Sequence, residues 1–192
     1  MTDLLSLTAE LVGWPSVSFE EREFVNWLEG ELRSLDHLEL TRVGDNLIAR
    51  TDLGRDSRLI LAGHTDTVPA NGNAEPRIEG DTLWGVGSAD MKGGLAVFLD
   101  LARNVSDPTV DLTYVFYARE EVRQEDNGLL EVEAERPDLL AGDCAILGEP
   151  TLGAIEAGCQ GAMRFELRWL GPGPTLLGRG WDATPFTDWP RF

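Results

Sequence analysis

One histidine and a series of carboxylates stand at the ends of apolar runs in this chain. His64-Thr65-Asp66 follows Leu59-Ile60-Leu61-Ala62, Glu120-Glu121 follows Leu112 to Ala118, and Glu149 follows Cys144 to Leu147. Asp90 closes a glycine-rich stretch, Gly85 to Asp90, ahead of a helical pattern. Imidazole nitrogen and carboxylate oxygen are donors that suit zinc and similar divalent ions. Drawn together from several strand ends, they form the donor set of a two-cation hydrolytic site. Each member alone has an ordinary reading. His64 could be structural, Asp90 a helix cap, Glu120-Glu121 a solvated pair, and Glu149 a turn residue. Gly85-Val86-Gly87 lacks the Lys-Ser/Thr ending of a phosphate-binding loop.

The elements that must position these groups are legible in the spacing. Leu4, Leu5, Leu7 and Leu11 mark a first helix that Trp14-Pro15-Ser16 breaks. Ser18 with Glu21 three residues on is a capping-box pattern. Phe24, Val25, Leu28 and Leu32 follow at helical spacing, so a helix is expected over about residues 19–34. Strand-like runs cover Leu38 to Val43 and Leu47 to Arg50. Leu59 to Ala62 is short, apolar and unalternating, as a buried parallel strand should be. Gly80-Asp81 reads as a hairpin turn. A helix over Gly93 to Val105, a strand over Leu112 to Ala118, a helix near Leu129 to Glu135 and a strand at Cys144 to Leu147 complete the pattern. Strands alternating with helices imply an α/β fold, a largely parallel sheet flanked by helices. In such sheets functional groups gather at the carboxyl ends of the strands.

A chain of 192 residues is long enough for one domain with a sizeable core. A net charge of -18 argues against nucleic acid and anionic membranes as partners. No apolar run approaches the roughly 20 residues of a membrane span, and no basic-then-apolar leader is seen at Met1, so a cytoplasmic protein is expected. Cys144 and Cys159 are read as two buried, reduced thiols, and His37 as an exposed helix-end residue. Lys92 is the sole lysine among 16 basic residues, the rest being arginine, as a GC-rich coding sequence would give.

Leu61 to Pro69, Gly85 to Gly94, Arg119-Glu120-Glu121 and Gly148 to Thr151 together resemble the metal-site motifs of the aminoacylase/desuccinylase metallohydrolases. Glu156 to Gly161 fits the subtype that cleaves N-succinyl-diaminopimelate. Acetylornithine deacetylases and carboxypeptidase relatives share the metal ligands. The resemblance covers about residues 1–171 and implies a zinc-peptidase-like catalytic domain with two divalent ions, zinc or cobalt. It also implies each role. His64 binds one ion, Asp90 bridges both, and Glu121 and Glu149 each complete one shell. Asp66 orients His64, and Glu120 is the general base. The implied partner is a small N-acyl amino acid substrate.

Family members are longer, with a lid that also forms a homodimer and a last metal-binding histidine near the C-terminus. This chain has no histidine after His64. Residues 172–192 carry four prolines and aromatics at no regular spacing, so an irregular tail is expected. Read from the third base of the Gly171 codon, the codons of this tail permit a segment like the family's lid, with its substrate-binding histidine. The expectation is a frame change close to Gly171. The chain as it stands would then be incomplete at its C-terminus, without the lid, weak in metal binding and inactive, or a non-catalytic metal-binding remnant.

Overall fold

The computed structural model describes residues 3–158. The chain divides into two compact units, Met1–Ile155 and Glu156–Phe192. The candidate site residues all lie in the first. Cys159 and the tail from Pro172 onward lie outside the described residues.

Helix α1, Leu4–Val12, starts where the Asp3 carboxylate accepts from the Leu5 amide. Helix α2, Arg22–Arg33, buries Phe24, Val25, Leu28 and Leu32 completely, each worth roughly 1.5–3 kcal/mol of apolar burial. Strands β1 (Glu39–Val43), β2 (Asn46–Arg50) and β3 (Arg58–His64) follow, then the hairpin β4 (Arg77–Glu79) and β5 (Thr82–Trp84) around Gly80. A turn over Ser88–Lys92 leads into α3, Gly93–Asn104. Strand β6 (Asp111–Tyr117), helix α4 (Gly128–Glu135) and strand β7 (Cys144–Leu147) complete the order.

The main sheet runs β1-β2-β6-β3-β7. It is mixed. The expected parallel arrangement holds for β6, β3 and β7, whereas β1 pairs with β2, and β2 with β6, antiparallel. Helices α1, α2 and α3 cover one face, against Leu47, Leu61, Leu112, Tyr114 and Phe116. Helix α4 and the Pro137–Leu140 turn cover the other, against Ile48, Ile60, Ala62 and Val115. Neighbours in sequence therefore alternate faces along each strand, the period of two that a sheet buried on both sides requires.

Three expectations change. The capping box does not form. Val17 bridges Thr67 in parallel, and the Ser18 and Thr67 amides bond Thr67 O and Ser16 O. This draws Ser18 onto the sheet, and α2 begins later, behind a Glu21 whose side chain makes no cap. His37 is half-buried rather than exposed, its Nε2 lying 2.9 Å from the Ala102 carbonyl. Cys144 is exposed rather than buried, because β7 is an edge strand exposed along its whole length. No helix among the described residues is long and apolar enough to cross a membrane.

Candidate functional site

The three parallel strands β6, β3 and β7 are neighbours, so their carboxyl ends open at one edge. His64 is the last residue of β3, Glu120 and Glu121 follow β6, and Glu149 follows β7. Asp90 reaches the same edge from the turn before α3. Close backbone approach makes this fit. A Cβ on Gly63 would strike Met91 and Leu95, and one on Gly94 would strike the Gly148 carbonyl. Without side chains at these two positions, the Asp90 turn and α3 settle onto β3 and the end of β7.

His64 is fully buried. Its Nε2 lies 3.0 Å from Asp90 Oδ1 and its Nδ1 2.9 Å from the main-chain carbonyl of Asp66. A carbonyl accepts only, so the neutral ring carries its proton on Nδ1 and turns the Nε2 lone pair toward Asp90. Burial opposes charge on this ring, yet the Asp66 and Asp90 hydrogen bonds outweigh it and push its pKa up to about 9. His64, Asp90 and Glu121 each offer a donor atom within 4.8 Å of the others. Glu149 falls outside that close triad but stands near enough for charge coupling to His64 and Asp90.

Asp66 organises the rest. Its buried carboxylate accepts from Ser18 Oγ at 2.6 Å, the Glu120 amide at 2.9 Å and the Glu121 amide at 3.2 Å. Burial would raise this carboxyl, but the His64, Ser18 and Glu120 hydrogen bonds hold it below the usual range. Asp66 was expected to orient His64. Its main-chain oxygen is what meets the His64 ring, with the nearer carboxylate oxygen at 3.5 Å from Nδ1. The carboxylate itself aims the Glu120-Glu121 turn, which Arg119 enters with a φ of 62°.

Among the described residues, Glu121 and Glu149 meet no side-chain hydrogen-bond donor. Burial raises Glu121 and Glu149, and the negative charge of Asp90 raises both further. One imidazole and crowded carboxylates, with acceptors in excess of donors, fit a divalent cation. His64, Asp90, Glu121 and Glu149 would hold it.

The structure thus brings His64, Asp90 and Glu121 together and places Asp66, Glu120 and Glu149 at the same strand ends, outside that close triad. It adds Ser18, Met91 and Lys92. The His64 amide donates to Met91 Sδ at 3.2 Å. Lys92 is buried, and burial pulls its ammonium down to about 8. A lone lysine among arginines was the signal for it, although that bias alone names no role.

The sequence profile of peptidase family M20/M25/M40 matches residues 60–178. The DapE desuccinylase-type protein of Mycobacterium tuberculosis is 50% identical over 170 residues, covering 88% of this chain and 48% of its own length. The succinyl-diaminopimelate desuccinylase of Corynebacterium glutamicum is 44% identical over 170 residues, covering 86% and 46%. An acetylornithine deacetylase of Klebsiella pneumoniae is 35% identical over 161 residues, covering 73% and 41%. The chain therefore spans about half the length of the curated relatives it matches. Among solved structures, the M20 family metallo-carboxypeptidase Sso-CP2 of Sulfolobus solfataricus superposes with a TM-score of 0.64 at 21% identity, covering 77% of this chain and 37% of that one. The Bacillus subtilis YxeP protein, a dinuclear metal binding peptidase, superposes at 0.53 with 17% identity, covering 75% and 41%. At these identities the superpositions speak for the fold alone.

Proposed function

The chain belongs to peptidase family M20/M25/M40, and we propose that it is the metal-bearing part of an amidohydrolase releasing succinate from N-succinyl-LL-2,6-diaminopimelate. The observation that carries this reading is the meeting of His64, Asp90 and Glu121 within 4.8 Å at the ends of adjacent parallel strands. The desuccinylases of Mycobacterium tuberculosis and Corynebacterium glutamicum support the substrate class. The dinuclear metal binding of the Bacillus subtilis protein supports a pair of divalent cations, and imidazole with carboxylate donors suits zinc or cobalt.

His64 through Nε2, Asp90, Glu121 and Glu149 would hold the cations, with Asp90 the ligand shared between them. Bound cations supply Lewis acidity for the amide carbonyl and for the attacking water. Glu120 is the general base that takes the proton of that water and passes it to the leaving amine. Asp66 holds both glutamates in place through its carboxylate and fixes the His64 tautomer through its main-chain carbonyl, so the two roles are set by one residue.

We read residues 172–192 as an out-of-frame tail, so activity belongs to the protein in its restored frame. The test is turnover by zinc-loaded restored protein of N-succinyl-diaminopimelate and of acetylornithine. Faster succinate release is expected. Faster acetate release transfers the assignment to ornithine deacylation, as the Klebsiella pneumoniae relative favours. A zinc-loaded protein that turns over neither is a metal-binding remnant, and the hydrolase reading fails.

A further inference from the structure

Asp90 is the most exposed member of the close triad, its side chain 52% accessible, and among the described residues its side chain bonds only His64. A group so placed does not fix its own position. The two residues after it do the fixing. Met91 is fully buried and receives the His64 amide on its sulfur. Lys92 is 1% exposed, and its amide donates to the Gly87 carbonyl at 2.8 Å, closing the turn. Its ammonium donates to the Leu11 carbonyl at 3.0 Å and the Trp14 carbonyl at 2.6 Å, at the end of α1. The same ammonium lies 4.6 Å from the centre of the Phe24 ring on α2.

Burying a cation is costly unless its donors are met. Here they are met by the Leu11 carbonyl, which also accepts from the Trp14 amide, by the Trp14 carbonyl just past the helix end and by an aromatic face. The geometry suits a point charge on a flexible stem. A guanidinium is planar, wider and presents its donors as a fixed fork. The composition agrees. All but one of the 16 basic residues are arginine, and among the described residues no arginine is buried.

We propose that Lys92 is the positioning residue of the metal centre. It clamps the end of α1 to the Asp90 turn and sets where Asp90 meets His64. Its own atoms touch neither cation nor substrate. The proposal rests on Asp90 being a ligand only for its effect on metal binding. The clamp itself is testable without metal.

The experiment compares the full chain with Lys92→Met, Lys92→Arg and the core control Leu11→Ala, first metal-free and then titrated with zinc. In amide exchange of the metal-free proteins, both Lys92 variants are expected to raise exchange at Gly93 at least tenfold relative to the amides of β6, whereas Leu11→Ala raises both together. In the titration, both Lys92 variants are expected to weaken zinc at least tenfold, and Leu11→Ala less than threefold. Wild-type behaviour of Lys92→Arg in both arms overturns the requirement for a compact ammonium. Uniform exchange in Lys92→Met, matching Leu11→Ala, overturns the clamp and leaves ordinary stability. If Lys92→Met does not fold, Lys92→Arg carries both readings. A wild-type chain that takes no zinc refutes the metal reading, while the exchange arm still decides the clamp.

Discussion

The two ends of the parallel strands are both acidic and are built on opposite principles. At the amino end of β6, Asp111 accepts from Thr51 Oγ1, the Leu53 amide and the Arg55 amide at 2.7–2.9 Å, with Arg58 at 3.9 Å. Those donors, the Leu53 amide first, hold its pKa down to about 2. At the carboxyl ends, Glu121 and Glu149 are raised by burial and by the charge of Asp90. A carboxylate surrounded by donors holds structure together. Carboxylates surrounded by carboxylates are complete only with a cation. Asp66 sits between the two cases, a donor-satisfied aspartate inside the donor-poor end.

Substitution at the donor-rich end should have the largest effect on folding. Asp111→Ala strands three donors and is expected to cost about 2–4 kcal/mol in denaturant unfolding. A loss under about 0.5 kcal/mol would erase the contrast. The acid limb sharpens it. A depressed carboxyl stabilises fully above its unfolded value of 3.8 and loses that contribution as pH falls toward 2. Asp111→Asn should flatten stability between those values, measured by circular dichroism during acid titration.

Ser18→Ala removes one of three donors to Asp66 and is expected to cost about 1 kcal/mol. It should also weaken zinc, by up to about tenfold, because second-layer partners hold ligands in place. A stability loss with unchanged zinc affinity would separate Asp66 from the metal centre. Glu149→Gln should act in the opposite direction to Asp111→Ala. Removing one crowded charge is expected to stabilise the metal-free chain by about 0.5–1 kcal/mol while weakening zinc. Destabilisation by thermal melting would show that the carboxyl end is donor-satisfied after all.

The smallest expected effect lies at the edge of the sheet. Ile146 and Leu147 on β7 are 49% and 53% exposed, and an open apolar edge invites pairing between chains. Ile146→Lys should leave unfolding nearly unchanged and reduce self-association in light scattering. Equal scattering would remove β7 as the contact.

Much of this was legible because strands and helices advertise themselves locally. Apolar runs marked β3, β6 and β7, and the residues after β3 and β6 meet Asp90, with the residue after β7 nearby. What stayed hidden depends on partners far along the chain. Ser18 and Glu21 spell a cap, but Asp66, 48 residues away, takes the serine hydroxyl. Asp66 was readable as an orienter of His64, whereas its hold on the Glu120 and Glu121 amides needs the Arg119 turn to bring them round. Cys144 has the type of a buried residue, and only the strand order puts it on an edge. The antiparallel half of the sheet follows from the tight turn between Val43 and Asn46, which returns β2 beside β1.

Calorimetric titration of the metal-free chain with zinc tests the contrast between the two ends most directly. Weak binding is expected, with one site clearly stronger than the other. It should be lost on His64→Ala and Asp90→Asn and retained on Asp111→Asn, once folding is verified. Zinc affinity unchanged by His64→Ala and Asp90→Asn would contradict the assignment of the carboxyl ends as a cation site.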